Sequence, residues 1–80
     1  MNLYVSNLNF NVSNDELKNL FEPFGQVSSA RVIMDRTTGK SRGFGFVEMD
    51  NDTEAELAMK NLHQKEFGGR AISVSQARAK

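Results

Sequence analysis

The spacing of hydrophobic positions changes period several times along the chain, and each change marks an element. Asn2-Leu3-Tyr4-Val5-Ser6 alternates, with Leu3 and Val5 on one side and Asn2, Tyr4 and Ser6 on the other, as a half-buried strand does. Residues 9–11 read as a loop. The period then lengthens: Leu17, Leu20, Phe21 and Phe24 recur at i, i+3, i+4 and i+7, the buried face of a helix. Ser13 can cap that helix, Glu16 completes a capping box, and Val12 with Leu17 forms a hydrophobic staple. Pro23 weakens its last turn and Gly25 stops it. Residues 27–34 return to a β-branched pattern, with Ala30 and Val32 opposed to Arg31 and Ile33. Arg31 assigns the outer face, and Ile33 shares it.

Residues 35–41 form a polar, basic loop with a turn glycine, and it leads straight into the stretch Arg42-Gly43-Phe44-Gly45-Phe46-Val47-Glu48-Met49. As a strand, this stretch puts Gly43, Gly45, Val47 and Met49 on one side and Arg42, Phe44, Phe46 and Glu48 on the other. Arg and Glu are almost never fully buried without partners, so their side faces solvent and takes Phe44 and Phe46 with it. The two glycines on the inner side are expected to let helices approach the backbone. Asn51 or Asp52 can cap a second helix, whose Ala55, Ala58, Met59 and Leu62 repeat the buried spacing. Residues 65–69 read as a turn. Residues 71–75 read as a last strand, with Ile72 and Val74 inward and Ser73 and Ser75 outward. The order strand, helix, strand, strand, helix, strand is the split βαβ arrangement. It predicts an α+β, ferredoxin-like sandwich: a four-stranded antiparallel sheet with two helices on one face and the other face bare. Residues 1–77 form the domain and residues 78–80 a basic C-terminal tail.

Leaving a Phe exposed forgoes roughly 1.5–3 kcal/mol of burial, so two in register beside an arginine call for a ligand. A flat face with paired rings and a neighbouring base suits single-stranded nucleic acid, whose bases stack on rings and whose phosphates pair with Arg or Lys. The formal net charge of zero does not oppose this, because the charges are segregated. From Glu48 to Lys60 there are five acids against one base, whereas Arg31, Arg36, Lys40 and Arg42 face only Asp35 in the stretch between Arg31 and Arg42. Arg70, Arg78 and Lys80 close the chain with no acid among them, and phosphate attraction depends on such local patches.

Composition removes other classes. The absence of cysteine excludes disulfides and Cys-based zinc or redox chemistry, and the lone His63 cannot build a metal site. No carboxylate pair and no nucleophile with its base stands out, so no enzyme and no cofactor are expected. Gly43-x-Gly45 runs on to Glu48 and is no dinucleotide fingerprint. No apolar run approaches a membrane span and no signal segment opens the chain, which predicts a soluble, cytoplasmic monomer.

Residues 42–49 also resemble the long ribonucleoprotein motif of the RNA recognition motif (RRM) family at every position but the last, where Met49 stands in place of an aromatic. Residues 3–8 are similar to the short motif of that family, with Tyr4 at its aromatic place. The Gly69-Arg70-x-Ile-x-Val pattern and Ala77 extend the resemblance over essentially the whole chain, and His63-Gln64 departs from a common Asn-Gly. The short, early-starting form resembles small single-domain bacterial RNA-binding proteins and plant glycine-rich RNA-binding proteins. The resemblance implies that Tyr4 stacks one base and Phe46 its neighbour, that Phe44 packs between their sugars, and that Arg42 pairs a phosphate. Gln76, Arg78 and Lys80 would touch flanking nucleotides, and Arg31, Ile33 and Lys40 complete the expected site. The implied ligand is single-stranded RNA, or single-stranded DNA, and the implied role is post-transcriptional regulation or RNA chaperoning. The alternative is a protein-binding module on the same aromatic face.

Overall fold

The computed structural model describes residues 1–77. Four strands, β1 (Asn2–Ser6), β2 (Ser29–Met34), β3 (Ser41–Glu48) and β6 (Ser73–Gln76), form an antiparallel sheet in the order β2-β3-β1-β6. Two short strands, β4 (Glu66–Phe67) and β5 (Arg70–Ala71), make a separate ribbon before β6. The helices are α1 (Asn14–Phe21) and α2 (Asp52–Leu62).

Cross-strand partners share a face, so the register fixes which side chains meet. Leu3 pairs with Val47, and Val5 lies between Gly45 and Val74. All of these face the helices, where Leu17 and Phe21 of α1 and Ala55, Ala58 and Leu62 of α2 close the core. Met49 is wholly buried, so the departure from the aromatic motif falls inside the core, where a flexible thioether fills space well.

Local signals in the sequence set the helix ends. The Ser13 hydroxyl accepts from the Glu16 N–H, and the Glu16 carboxylate accepts from the Ser13 N–H, a complete capping box. Asn51 caps α2 by accepting from the Glu54 N–H at 2.9 Å. Helix α1 gives way after Phe21 to a 3₁₀ turn over Glu22–Phe24, because Pro23 supplies no N–H, and the Gly25 N–H bonds the Glu22 carbonyl to close it.

Three expectations need correction. The second strand starts at Ser29 rather than Val27, although Val27 still packs in the core. The region read as one turn and one strand is a ribbon plus a strand, since Ala71 pairs with Glu66 before Ile72 turns inward. Gly43 has a different purpose from Gly45. Its φ is +83°, which L side chains rarely adopt, and a Cβ there would lie 3.2 Å from the Phe10 ring. Only Gly45 meets the helix layer: a Cβ would stand 3.1 Å from the Leu17 side chain and would strike the Arg31 carbonyl on β2.

The turn after α2 is also specific. The His63 Nδ1 accepts from the Val74 N–H at 3.1 Å, which assigns the ring proton to Nε2 and ties the helix end to β6. Gln64 follows with φ of 67°, the left-handed conformation that a glycine adopts without strain. Its N–H bonds the Ile72 carbonyl at 2.7 Å, which holds it there.

Candidate nucleic-acid interface

The bare face of the sheet carries the rings that its alternation predicts. Tyr4 pairs in register with Phe46, and Ser6 with Phe44, which places all three aromatics on the two central strands. Ring centroids lie 5.7 Å apart for Tyr4 and Phe44, 5.6 Å for Tyr4 and Phe46, and 6.3 Å for Phe44 and Phe46. The contacts are tilted or edge-on, so the rings brace one another and their faces are not consumed by mutual stacking. Phe46 is 39% exposed, while Tyr4 and Phe44 are half-buried.

Two of the expected cations, Arg31 and Arg42, border this cluster. Arg31 pairs in register with Phe46, and both line a depression with Ile33 and Glu48, so Ile33 does share the outer face. The Arg42 guanidinium lies 6.0 Å from the Phe44 centroid, a cation–π distance. Among the described residues, no ion pair engages Arg31, Lys40 or Arg42, so their charges are available to an anion.

Lys40 lies at the end of a built turn. The Asp35 carboxylate accepts from the Thr37 N–H at 2.7 Å and the Thr38 N–H at 3.3 Å, and the Asp35 N–H reaches the Lys40 carbonyl at 2.7 Å. Those backbone donors hold the Asp35 carboxyl below the usual aspartate range, helped by the Arg42 charge. Lys40 and Met34 line a further depression on the flank of the face, with Phe10 between them and the central rings.

Two expectations fare differently. Gln76 is exposed but pairs in register with the buried Leu3, so its strand position belongs to the helix side and the structure does not bring it to the rings. Arg78 and Lys80 lie outside the described residues. Conversely, Phe10 and Arg70 join the aromatic face at one end, lining a depression together with Tyr4, Arg42 and Phe44. Neither figured among the expected site residues. Phe10 follows no strand or helix period, and only its isolation between Asn9 and Asn11 in a loop marks it in the sequence.

Comparisons with known proteins agree with this fold. A family model described as RNA recognition motif matches residues 3–73. The putative RNA-binding protein RbpE of Nostoc sp. is 40% identical over 78 residues, covering 98% of this chain and 79% of that protein. The chloroplastic RNA-binding protein CP31B of Arabidopsis thaliana is 47% identical over 75 residues, covering 94% of this chain. The chain spans only 26% of the length of CP31B. Among solved structures, that of the RNA-binding protein PG1 superimposes with a TM-score of 0.96 at 49% identity, covering 100% of this chain and 96% of the other.

Proposed function

The chain belongs to the RNA recognition motif family, and from that premise we propose that it binds single-stranded RNA on the open face of its sheet. One observation carries the reading: three rings, Tyr4, Phe44 and Phe46, stand together on the side of the sheet that no helix covers. Bases stack on such platforms with little regard to sequence, because every base has a π-face. Tyr4 and Phe46 each take a base, and Phe44 packs between the sugars. Arg42 and Arg31 meet phosphates, and Lys40 meets the backbone where it leaves the sheet. Gln76 then contacts only a nucleotide beyond the end of β6, together with Arg78 and Lys80.

The names of the relatives, which describe RNA-binding proteins, support the ligand class. A protein partner on the same face is less favoured: aromatics and arginines also anchor protein interfaces, but the relatives are named for RNA binding. The protein acts by binding, without a catalytic step, in post-transcriptional regulation or RNA chaperoning. The cytoplasm is the compartment we assign to it, although some of its relatives are named as chloroplast proteins. Among the described residues, no helix is long and apolar enough to cross a membrane.

Two stacked bases at ~1–3 kcal/mol each, with phosphate contacts added, correspond to micromolar binding, about −8 kcal/mol. The test is fluorescence anisotropy with a labelled, randomised single-stranded RNA pool across a salt series. Each phosphate contact to a single strand contributes about −0.7 to the slope of log K against log salt. Arg42→Ala is expected to flatten that slope by about 0.7 and to weaken binding at low salt. A slope unchanged by Arg42→Ala would remove Arg42 from the phosphate path, and no binding by the unaltered protein at low salt would overturn the function.

A further inference from the structure

Phe10 is the most exposed large hydrophobic residue among those described, at 63%. It stands apart from the central rings, in the loop between β1 and α1, yet it forms a wall of two adjoining depressions. One is shared with Tyr4, Phe44 and Arg70, the other with Met34 and Lys40, itself a residue with an exposed side chain. A continuous surface therefore runs from the central aromatic cluster across Phe10 to the basic turn after β2.

The loop that presents the ring is held without help from the ring. Asn7 donates to the Ala71 carbonyl at 2.8 Å and accepts from Arg70 Nε and Nη2 at 3.2 and 2.9 Å. Asn9 donates to the Gly68 carbonyl at 2.8 Å and accepts from the Asn11 N–H at 2.9 Å. These bonds anchor the loop to the β4–β5 ribbon and fix the Arg70 guanidinium 6.0 Å from the Phe10 centroid. The missing side chain at Gly43 leaves room for the ring against the start of β3, because a Cβ there would crowd it at 3.2 Å. An aromatic ring that is pre-positioned, exposed, flanked by cations and contiguous with a base-stacking face has the makings of a base site itself.

We propose that Phe10 is a second stacking platform, taking a base of the same RNA strand that lies beyond those seated on Tyr4, Phe44 and Phe46. Arg70 and Lys40 are placed for the phosphates on either side of that base. The inference rests on the RNA-binding reading above and lengthens the bound strand past the central face.

The test uses randomised RNA pools of three and seven nucleotides, titrated into the isotope-labelled protein and followed by NMR. The shorter RNA can occupy the central rings alone, and the longer one also reaches Phe10. Phe10→Ala is expected to weaken the seven-nucleotide RNA by roughly tenfold, within the range for one stacked base, and the three-nucleotide RNA by less than about twofold. Phe10→Tyr, which keeps the ring, is expected to retain the longer RNA, and its spectrum verifies the fold. Equal losses on both lengths, or no loss on the longer one, would overturn the Phe10 site while leaving the central face as the binding surface. If the unaltered protein binds neither length, the RNA-binding reading falls and the Phe10 site with it.

Discussion

Replacing Phe44 and Phe46 together by alanine is expected to remove most of the affinity for single-stranded RNA and leave the domain folded. Neither ring belongs to the buried core, which is built from residues such as Leu3, Val47, Leu17 and Phe21 on the other side of the sheet. The variant therefore loses the ring contacts within the aromatic cluster and keeps the packing against the helices. Binding loses more. Each stacked base contributes about 1–3 kcal/mol, and without Phe44 and Phe46 the cluster is reduced to Tyr4. A loss of about 2 kcal/mol already corresponds to roughly thirtyfold in Kd, and the upper end of the range takes binding below detection. Anisotropy gives the affinity, and circular dichroism establishes the fold of the variant. Unchanged affinity in a folded variant would show that RNA, if bound, sits elsewhere.

The second large effect is on stability. Gly45→Ala adds a single methyl, but at a position where it must strike the Arg31 carbonyl and approach the Val32 Cα and the Leu17 side chain, both at 3.1 Å. Two of these three obstacles are backbone of the neighbouring strand, which cannot turn aside as a side chain can. Gly45 pairs with Val32 on one side and Val5 on the other, so relief requires moving β2 away from β3 or tilting α1 off the sheet. Overpacking of this kind costs about 1–3 kcal/mol. For a domain of this size, each kcal/mol shifts Tm by roughly 4–8 °C, so thermal denaturation is expected to show a fall of about 5–20 °C. Because β2 carries Arg31 next to Phe46, the surviving folded protein should also bind RNA less well. A variant as stable as the parent would mean that Gly45 is not the close-packing point between β3, β2 and α1.

Much of this was legible in the sequence because one physical rule covered it. Strand alternation placed Tyr4, Phe44 and Phe46 outward and Leu3, Val5, Val47 and Met49 inward, and the capping residues Ser13 and Asn51 located both helices. The rule failed where conformation departed from a regular strand. Gly43 fits the alternation on paper, but its positive φ gives it a turn-like purpose that alternation does not reveal. The ribbon of β4 and β5 is only two residues per strand, too short to show any period. Gln76 was assigned by resemblance and against that rule, since the alternation that turns Ile72 and Val74 inward also turns Gln76 to the helix side, where it pairs with Leu3. Phe10 lay in a loop, where neither period applies. Its neighbourhood exists only because Asn7 and Asn9 reach residues some sixty positions away in the chain.

Amide chemical-shift mapping of the isotope-labelled protein with the randomised RNA tests the central claim most directly, since it asks which face meets the ligand. Shifts are expected to gather on β1 and β3, at Tyr4, Phe44 and Phe46, and at Arg31 on β2, with the outer side of α2 at Thr53, Glu56 and Lys60 unmoved. Shifts concentrated on α2 with the sheet face unchanged would contradict it, and would place the binding surface on the acidic, helical side of the molecule.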